Sequence, residues 1–315
     1  MTDYELLERI ISRHSTLFGQ SSIRDITVLN TSSFNLVFFF KSSDTDFVLK
    51  VMKKGAKNEF IAMQEAGKHV VVPEALSYGP IDNDEYLLMK RAKGRDAQSF
   101  LQQMDKITKA NFVNESAILL AKLHRSTWNI REPNRMESTR TSNTNELLER
   151  LESENLKDWS GVSVLKSMEP ERMPSDVCMI HGRYCPSNIM LSKNTITGVV
   201  DWPDARWSTP GVDLGFTLFM YKTQGLDSRM FLRSYLDEWE KPFPTDLHTE
   251  KTSTFPNEVI ESLPFFETLA AVEMHILGVI AERNPRVNEI LNNPSYGWAM
   301  KAVESARQIT NQLVG

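Results

Sequence analysis

The sequence has very little cysteine and no large excess of charge of either sign. Only Cys178 and Cys185 occur among the 315 residues, with six residues between them. This number and spacing exclude a disulfide framework and a C-x-x-C metal or redox motif, and they favour a reducing compartment. Lys and Arg number 36 against 41 Asp and Glu, a formal net charge of -5. A general basic surface for nucleic acid is therefore not expected.

The sequence also lacks the apolar segments that direct a protein to a membrane. Residues 1–8 are acidic and amphipathic, without the basic and apolar regions of a signal peptide. No later apolar run approaches the roughly 18 residues that a membrane span needs. We therefore predict a cytoplasmic protein that binds neither membrane nor nucleic acid, and we leave its oligomeric state open.

Hydrophobic patterns divide the chain into a β-rich first part and a mainly helical remainder. Thr2 and Glu5 have the spacing of a capping box, so a helix should begin here and end near Gly19. Short apolar runs then predict strands, followed by a helix over about 57–68 and one more strand; the strand runs are 26–29, 36–40, 47–51 and 86–90. After Gly94 the periodicity becomes helical, apart from short β segments near 177–201. The polar stretch 129–160 reads as a long excursion.

This pattern predicts an α+β fold of two lobes. We place the N-lobe, with a small antiparallel sheet and one helix packed on it, at residues 1–92. The larger and mainly helical C-lobe takes residues 93–315.

One stretch carries a recognisable spacing of chemical groups. His181-Gly-Arg-Tyr-Cys-Pro-Ser-Asn188 precedes a hairpin-like pair of strands that ends at Asp201. The step from His181 to Asn188 equals that of the kinase loop H-R-D-x-x-x-x-N, and Asp201 matches the Asp of D-F-G. Carboxylate and amide oxygens are hard ligands that suit Mg²⁺ and leave room for nucleotide phosphates. Asn188 and Asp201 are therefore the candidate metal ligands.

These residues resemble the H-G-D-x-x-P-x-N … G-V-I-D-W … D-L signature of the aminoglycoside phosphotransferase and choline kinase-like enzymes, which have a protein-kinase-like fold. Other segments resemble the same family in the same order: the lysine strand 47–50, Glu59 with Pro73, the hinge 86–89 followed by Gly94, and the helix segment 119–124. The resemblance covers residues from about 23 to 215.

The resemblance implies a role for each matching residue. Lys50 would pair with the phosphates of ATP or GTP and be held by Glu59, and Met89 would lie at the nucleotide hinge. His181, with Asp213, would brace the catalytic loop. No glycine occurs between Gly19 and Gly55, so the loop over the phosphates would be 30–35, where Ser32 and Ser33 offer donors.

The chain departs from the family at the catalytic base. Arg183 stands where the family has the Asp that accepts the substrate's hydroxyl proton, and a guanidinium cannot serve as a base. Arg183 could pair with Asp201 or bind the γ-phosphate. Asp204, three residues beyond Asp201, could help in place of the base, although the resemblance favours a structural role for it. The sequence does not decide between these arrangements.

Two functions follow from this comparison. The first is a Mg²⁺-dependent kinase that transfers the nucleotide γ-phosphate to a hydroxyl of a small molecule. The alternative is a catalytically silenced, kinase-like protein that binds a nucleotide or another ligand. A third reading, transfer of another group from the nucleotide, also stays open.

Overall fold

The computed structural model describes residues 2–18, 23–30, 35–128, 165–170, 174, 176–241, 255–283, 285, 288–289 and 297–314. The predicted polar excursion over 129–160 lies entirely outside this part of the chain. Ser32 and Ser33 also lie outside it, so the role predicted for them stays a prediction.

The first part of the chain forms a five-stranded antiparallel sheet with the order β1-β2-β3-β5-β4. Its strands are β1 (Ile23–Asn30), β2 (Asn35–Ser42), β3 (Thr45–Met52), β4 (Ala75–Ile81) and β5 (Asp84–Lys90). Strand β4 was missed from the sequence, because Gly79 and Pro80 within it are typical of turns. Proline is tolerated in β4 because this strand lies at the edge of the sheet.

Two short helices pack on one face of this sheet. Helix α1 (Asp3–Ser12) has the predicted capping box, in which Thr2 Oγ1 accepts from the Glu5 amide at 3.2 Å and Glu5 Oε2 accepts from the Thr2 amide at 2.7 Å. The helix does not continue to Gly19 as predicted, because the chain turns at 13–14 and restarts as α2 (Ser15–Phe18). Their apolar side chains join a core that includes Phe38, Phe40, Phe47 and Leu49.

Helix α3 (Ala56–Ala66) packs on the opposite face of the sheet. Alternation along β3 explains why both faces are covered. Phe47, Leu49 and Val51 belong to the core under α1, whereas Val48 and Met52 contact the core that includes α3. Lys50 therefore points to the α3 side.

The rest of the chain is mainly helical. Its helices are α4 (Lys106–Ser126), α5 (Gly211–Thr223), α6 (Ser228–Trp239), α7 (Asn257–Arg283) and α8 (Gly297–Val314). Short strands form two small sheets, of order β6-β8-β9 and β10-β7. These strands are β6 (Arg95–Asp96), β7 (Cys178–Ile180), β8 (Ile189–Ser192), β9 (Thr195–Val199) and β10 (Arg206–Ser208).

Helix α7 is long and apolar enough by length and composition to cross a membrane. The sequence pattern did not indicate such a segment. In the structure 61% of its apolar window is buried inside the protein, and Phe265, Leu269, Val272 and Ile276 lie in the main core. Burial of this kind is typical of the core helix of a soluble protein.

The predicted α+β arrangement of a small sheet lobe and a larger helical lobe is confirmed. The main core runs without interruption from Ala62 and Leu87 of the sheet lobe to α4 and α7. Because burial is continuous across the junction, the exact division between 92 and 93 stays a prediction.

Candidate active site

A buried lysine joins two carboxylates from distant parts of the chain. Lys50 Nζ lies 2.9 Å from Glu59 Oε2, 3.1 Å from Glu59 Oε1 and 2.7 Å from Asp201 Oδ1. The Lys50 side chain is 9% exposed and that of Glu59 1%, whereas Asp201 is 45% exposed. Burial alone would lower the pKa of Lys50, but the two carboxylates outweigh it and raise this pKa. Lys50 therefore stays charged.

Each partner of Lys50 is fixed by its own element. Glu59 lies in the first turn of α3, and its Oε1 also accepts from the Trp202 amide at 3.2 Å. Asp201 has a φ of 66°, a left-handed conformation that is uncommon for a residue other than glycine and that occurs often at functional sites. Burial would raise the pKa of Asp201, but Lys50 outweighs burial and lowers it, so the carboxylate is ionised.

Asn188 lies beside Asp201 because β8 and β9 form a hairpin. Ile189 pairs with Val199 across this hairpin, and the Val200 amide donates to the Asn188 carbonyl at 2.9 Å. The side-chain Nδ2 of Asn188 donates to the Arg183 carbonyl at 3.0 Å. This bond orients the amide and leaves its Oδ1 available as a ligand.

A fully buried carboxylate on α5 holds the loop 181–188 through hydrogen bonds to its backbone. Asp213, on α5, accepts from the amides of His181 and Gly182, both at 2.7 Å, and it lies 3.1 Å from His124 Nε2. Burial would raise the pKa of Asp213, but the bond to His124 and the charge interactions lower it. Asp213 therefore holds the loop through its backbone amides.

His124 ends the helix segment 119–124 that resembles the family, but the sequence assigned no role to it or to its partner Tyr235. His124 Nδ1 lies 2.9 Å from the Tyr235 hydroxyl, so a chain of polar contacts runs from α6 through α4 to Asp213. The sequence could not show the role of His124, because its partners come from segments far away in sequence.

His181 is neutral and its tautomer follows from its contacts. Nε2 lies 3.0 Å from the Val200 carbonyl and must donate to it, while Nδ1 accepts from the Arg183 amide at 3.2 Å. Burial lowers the pKa of His181. The ring therefore ties the loop to the strand end that carries Asp201.

Arg183 does not pair with Asp201, which was one of the arrangements left open. Its Nε donates to Asp204 Oδ2 at 2.7 Å, and its guanidinium carbon lies 5.7 Å from the centre of the Phe216 ring. Burial would lower the pKa of Arg183, but Asp204 and Glu273 outweigh it and raise this pKa. The position of the expected base is thus occupied by a cation that is paired with a neighbouring acid.

Two further residues near the site, Met89 and Cys185, are buried. Met89 is a buried residue of β5 opposite Val48 and Ala75, and its contact with a nucleotide stays a prediction. Cys185 is buried with Sγ 3.1 Å from the Ser187 hydroxyl, and burial raises the pKa of this thiol. A buried thiol of raised pKa is a poor nucleophile.

Among the described residues no group of three or more His, Cys, Asp or Glu side chains forms a metal centre. The pair Asn188 and Asp201 still fits Mg²⁺, because that ion usually takes one or two protein oxygens together with water and substrate phosphates. The site therefore combines a cation, a metal-compatible oxygen pair and a braced loop.

Several solved structures share the fold of this chain. A solved structure of a candidate aminoglycoside phosphotransferase from Ralstonia eutropha JMP134 matches with a TM-score of 0.68 and 15% identity, covering 99% of this chain and 97% of that one. A thermostable mutant of the aminoglycoside phosphotransferase APH(4)-Ia, in ternary complex with ADP and hygromycin B, matches with a TM-score of 0.58 and 15% identity, covering 93% and 97%. Macrolide 2'-phosphotransferase MphH from Brachybacterium faecium matches with a TM-score of 0.57 and 15% identity, covering 91% and 98%.

These likenesses define the fold as kinase-like. A search of curated protein sequences finds no match. The family model of the phosphotransferase enzyme family (APH) matches residues 25–244, which is more than half of the chain. The chain belongs to this phosphotransferase family, as the sequence resemblance predicted.

Proposed function

We propose that the protein is a cytoplasmic, Mg²⁺-dependent kinase that transfers the γ-phosphoryl group of ATP or GTP to a hydroxyl of a small molecule. The observation that carries this proposal is the contact of Lys50 with both Glu59 and Asp201. The buried Lys50 ammonium links Glu59 of the sheet lobe to Asp201, which follows strand β9 of the helical lobe. The loop 181–188, whose backbone Asp213 holds, lies beside this contact. The nucleotide and hygromycin B in the structure of a fold neighbour support a nucleotide and a small hydroxylated acceptor here.

Each residue of the site would have a distinct task. Lys50, held by Glu59, would bind nucleotide phosphates, and Asn188 and Asp201 would hold Mg²⁺. When bound there, Mg²⁺ would neutralise charge that develops on the phosphate oxygens. His181 and Asp213 keep the loop in place through the contacts described above, so that acceptor and phosphate are held in line. Positioning of this kind supplies most of the catalysis in phosphoryl transfer.

Nucleotide binding gives the first test. Melting temperature and calorimetric titrations should be measured with ATP and with GTP, each with Mg²⁺, because a ligand at one hundred times its dissociation constant stabilises the folded state by about 2.7 kcal/mol. Lys50→Ala should abolish the signal. Lys53→Ala is the matched control, since Lys53 lies nearby but is 62% exposed and paired with Asp84 at 2.7 Å. Absence of binding at millimolar nucleotide refutes the proposal.

Turnover gives the second test. The protein with Mg²⁺ and nucleotide should be incubated with aminoglycosides, macrolides and simple polyols, and phosphorylated products should be identified by mass spectrometry. Appearance of a nucleoside diphosphate together with a phosphorylated acceptor supports the kinase.

The silenced, kinase-like binding protein is the second candidate, and the observation that favours it is Arg183 at the position of the expected base. Binding without turnover of any acceptor or of water would favour this function over the kinase.

A further inference from the structure

A carboxylate from another segment of the chain lies against position 183. Asp204 Oδ2 accepts from Arg183 Nε at 2.7 Å, and the Asp204 side chain is 15% exposed. Asp204 follows Asp201 by three residues, so it lies on the same connection as the candidate metal ligand. The negative charge of Asp204 acts to raise the pKa of both Asp201 and His181, so its carboxylate lies near these two residues of the site.

The backbone of the loop is shaped to admit Asp204. Gly182 has a φ of 86°, and a Cβ built on it would lie 2.5 Å from the Asp204 carbonyl oxygen and 2.8 Å from Asp204 Cβ. Only glycine allows this approach. Arg206 Nη1 also donates to the Asp204 carbonyl at 2.7 Å. Asp204 is therefore held against the loop by its own backbone, independently of Arg183.

Arg183 is itself fixed from its other side. Its guanidinium packs over Phe216 of α5, and Glu273 of α7 lies close enough to stabilise its charge. The guanidinium thus orients the Asp204 carboxylate, whose Oδ2 accepts from Arg183 Nε at 2.7 Å. An arginine alone cannot serve as a base, but the pair of Arg183 and Asp204 places a carboxylate beside the loop position where the family has its catalytic Asp.

We propose that Asp204 is the catalytic proton acceptor of this chain and that Arg183 is the positioning residue that holds its carboxylate. This inference rests on the proposed kinase function. As the acceptor oxygen forms its bond to the γ-phosphorus, the bond from that phosphorus to the β–γ bridging oxygen breaks and the nucleoside diphosphate leaves with the electron pair. The hydroxyl proton passes to Asp204, which later releases it to solvent.

Two single variants separate this role from a purely structural one. Asp204→Asn removes the acceptor and keeps the size, so kcat should fall by about 10²–10⁴-fold, the usual contribution of general-base catalysis. Arg183→Ala breaks the same ion pair but keeps the carboxylate, so its loss in kcat should be much smaller. The readout is hydrolysis of MgATP with water as acceptor, together with the dissociation constant of MgATP, which neither variant should change.

The possible results are distinct. Equal losses in the two variants would show that the pair only braces the loop, and a larger loss in Arg183→Ala would show that the guanidinium itself acts on the phosphoryl group. Either result, or full activity in Asp204→Asn, overturns the proposal. A wild-type protein that binds MgATP but does not hydrolyse it also overturns it. Failure of the wild type to bind MgATP instead contradicts the proposed function, and the inference fails with it.

A control variant excludes a general effect of losing an ion pair. Asp82→Asn breaks the two contacts of Asp82 with Arg9, at 2.8 and 2.9 Å, which lie at the edge of the sheet lobe. It should retain the hydrolysis rate of the wild type. Melting temperatures of all variants verify that each is folded at the assay temperature.

Discussion

Removal of the Lys50 ammonium should destabilise the protein in a way that depends on pH. In Lys50→Met the side chain keeps its length, but Glu59, 1% exposed, loses the cation that lies 2.9 Å away. Removing one partner of a buried ion pair costs about 3–5 kcal/mol, because the remaining charge has no compensation. The free energy of unfolding at pH 7 should therefore fall by about this amount.

The pH dependence follows from the two carboxylates. Burial already raises the pKa of Glu59 in the wild type, although Lys50 opposes this effect, so removal of Lys50 raises that pKa further. The protonated form is then favoured in the folded variant, and stability is recovered as the pH falls through the raised value. In the wild type the pKa of Asp201 is lowered by Lys50, so the stability from this contact is present at neutral pH and is lost as the pH falls through the lowered value. Both effects reduce, at acidic pH, the difference in the free energy of unfolding between the wild type and Lys50→Met.

Urea unfolding of both proteins between pH 3 and 8 measures this difference, with Lys53→Met as the matched control. The Lys53 side chain is 62% exposed, so loss of its contact with Asp84 should cost about 0–1 kcal/mol. A second substitution, Glu59→Gln, should restore part of the stability of Lys50→Met, since it replaces an unpaired buried charge by a neutral amide. Equal costs for the two lysine variants, or a cost that is the same at every pH, would refute this account of the site.

Two other substitutions test how the loop is held. Gly182→Ala should lower both stability and activity, because the new Cβ would lie 2.5 Å from the Asp204 carbonyl oxygen. Gly225→Ala, at a φ of 70° with nothing within 4 Å, should cost about 1–2 kcal/mol from backbone strain alone and keep activity. Equal melting temperatures for the two variants would contradict the steric argument. Asp213→Asn should lower the free energy of unfolding by about 3 kcal/mol or more, since one buried carboxylate accepts from two loop amides and contacts His124. The kcat of MgATP hydrolysis should fall as well, and urea unfolding and the hydrolysis assay measure the two effects. A kcat equal to that of the wild type would show that the loop does not need Asp213 to hold it.

Much of the fold was predictable because its signals are local. The capping box at Thr2, alternating runs in the sheet and helical periodicity after Gly94 each depend on residues close in sequence. Family membership was predictable for a related reason, since the ordered motifs from Lys50 to Asp213 reflect fixed spacings within a known arrangement. Strand β4 was missed because Gly79 and Pro80 are judged by their local preference, while an edge position tolerates both.

The sequence by itself determined the kinase-like fold, the candidate ligands Asn188 and Asp201, and the absence of an aspartate at position 183. Only the tertiary structure decided what surrounds that position. It showed that Arg183 pairs with Asp204 rather than Asp201, and that His124 supports the loop through Asp213. The physical reason is that ion pairs and buried hydrogen bonds depend on distances between segments far apart in the chain, and a pattern of residue types along one strand or helix carries no information about those distances.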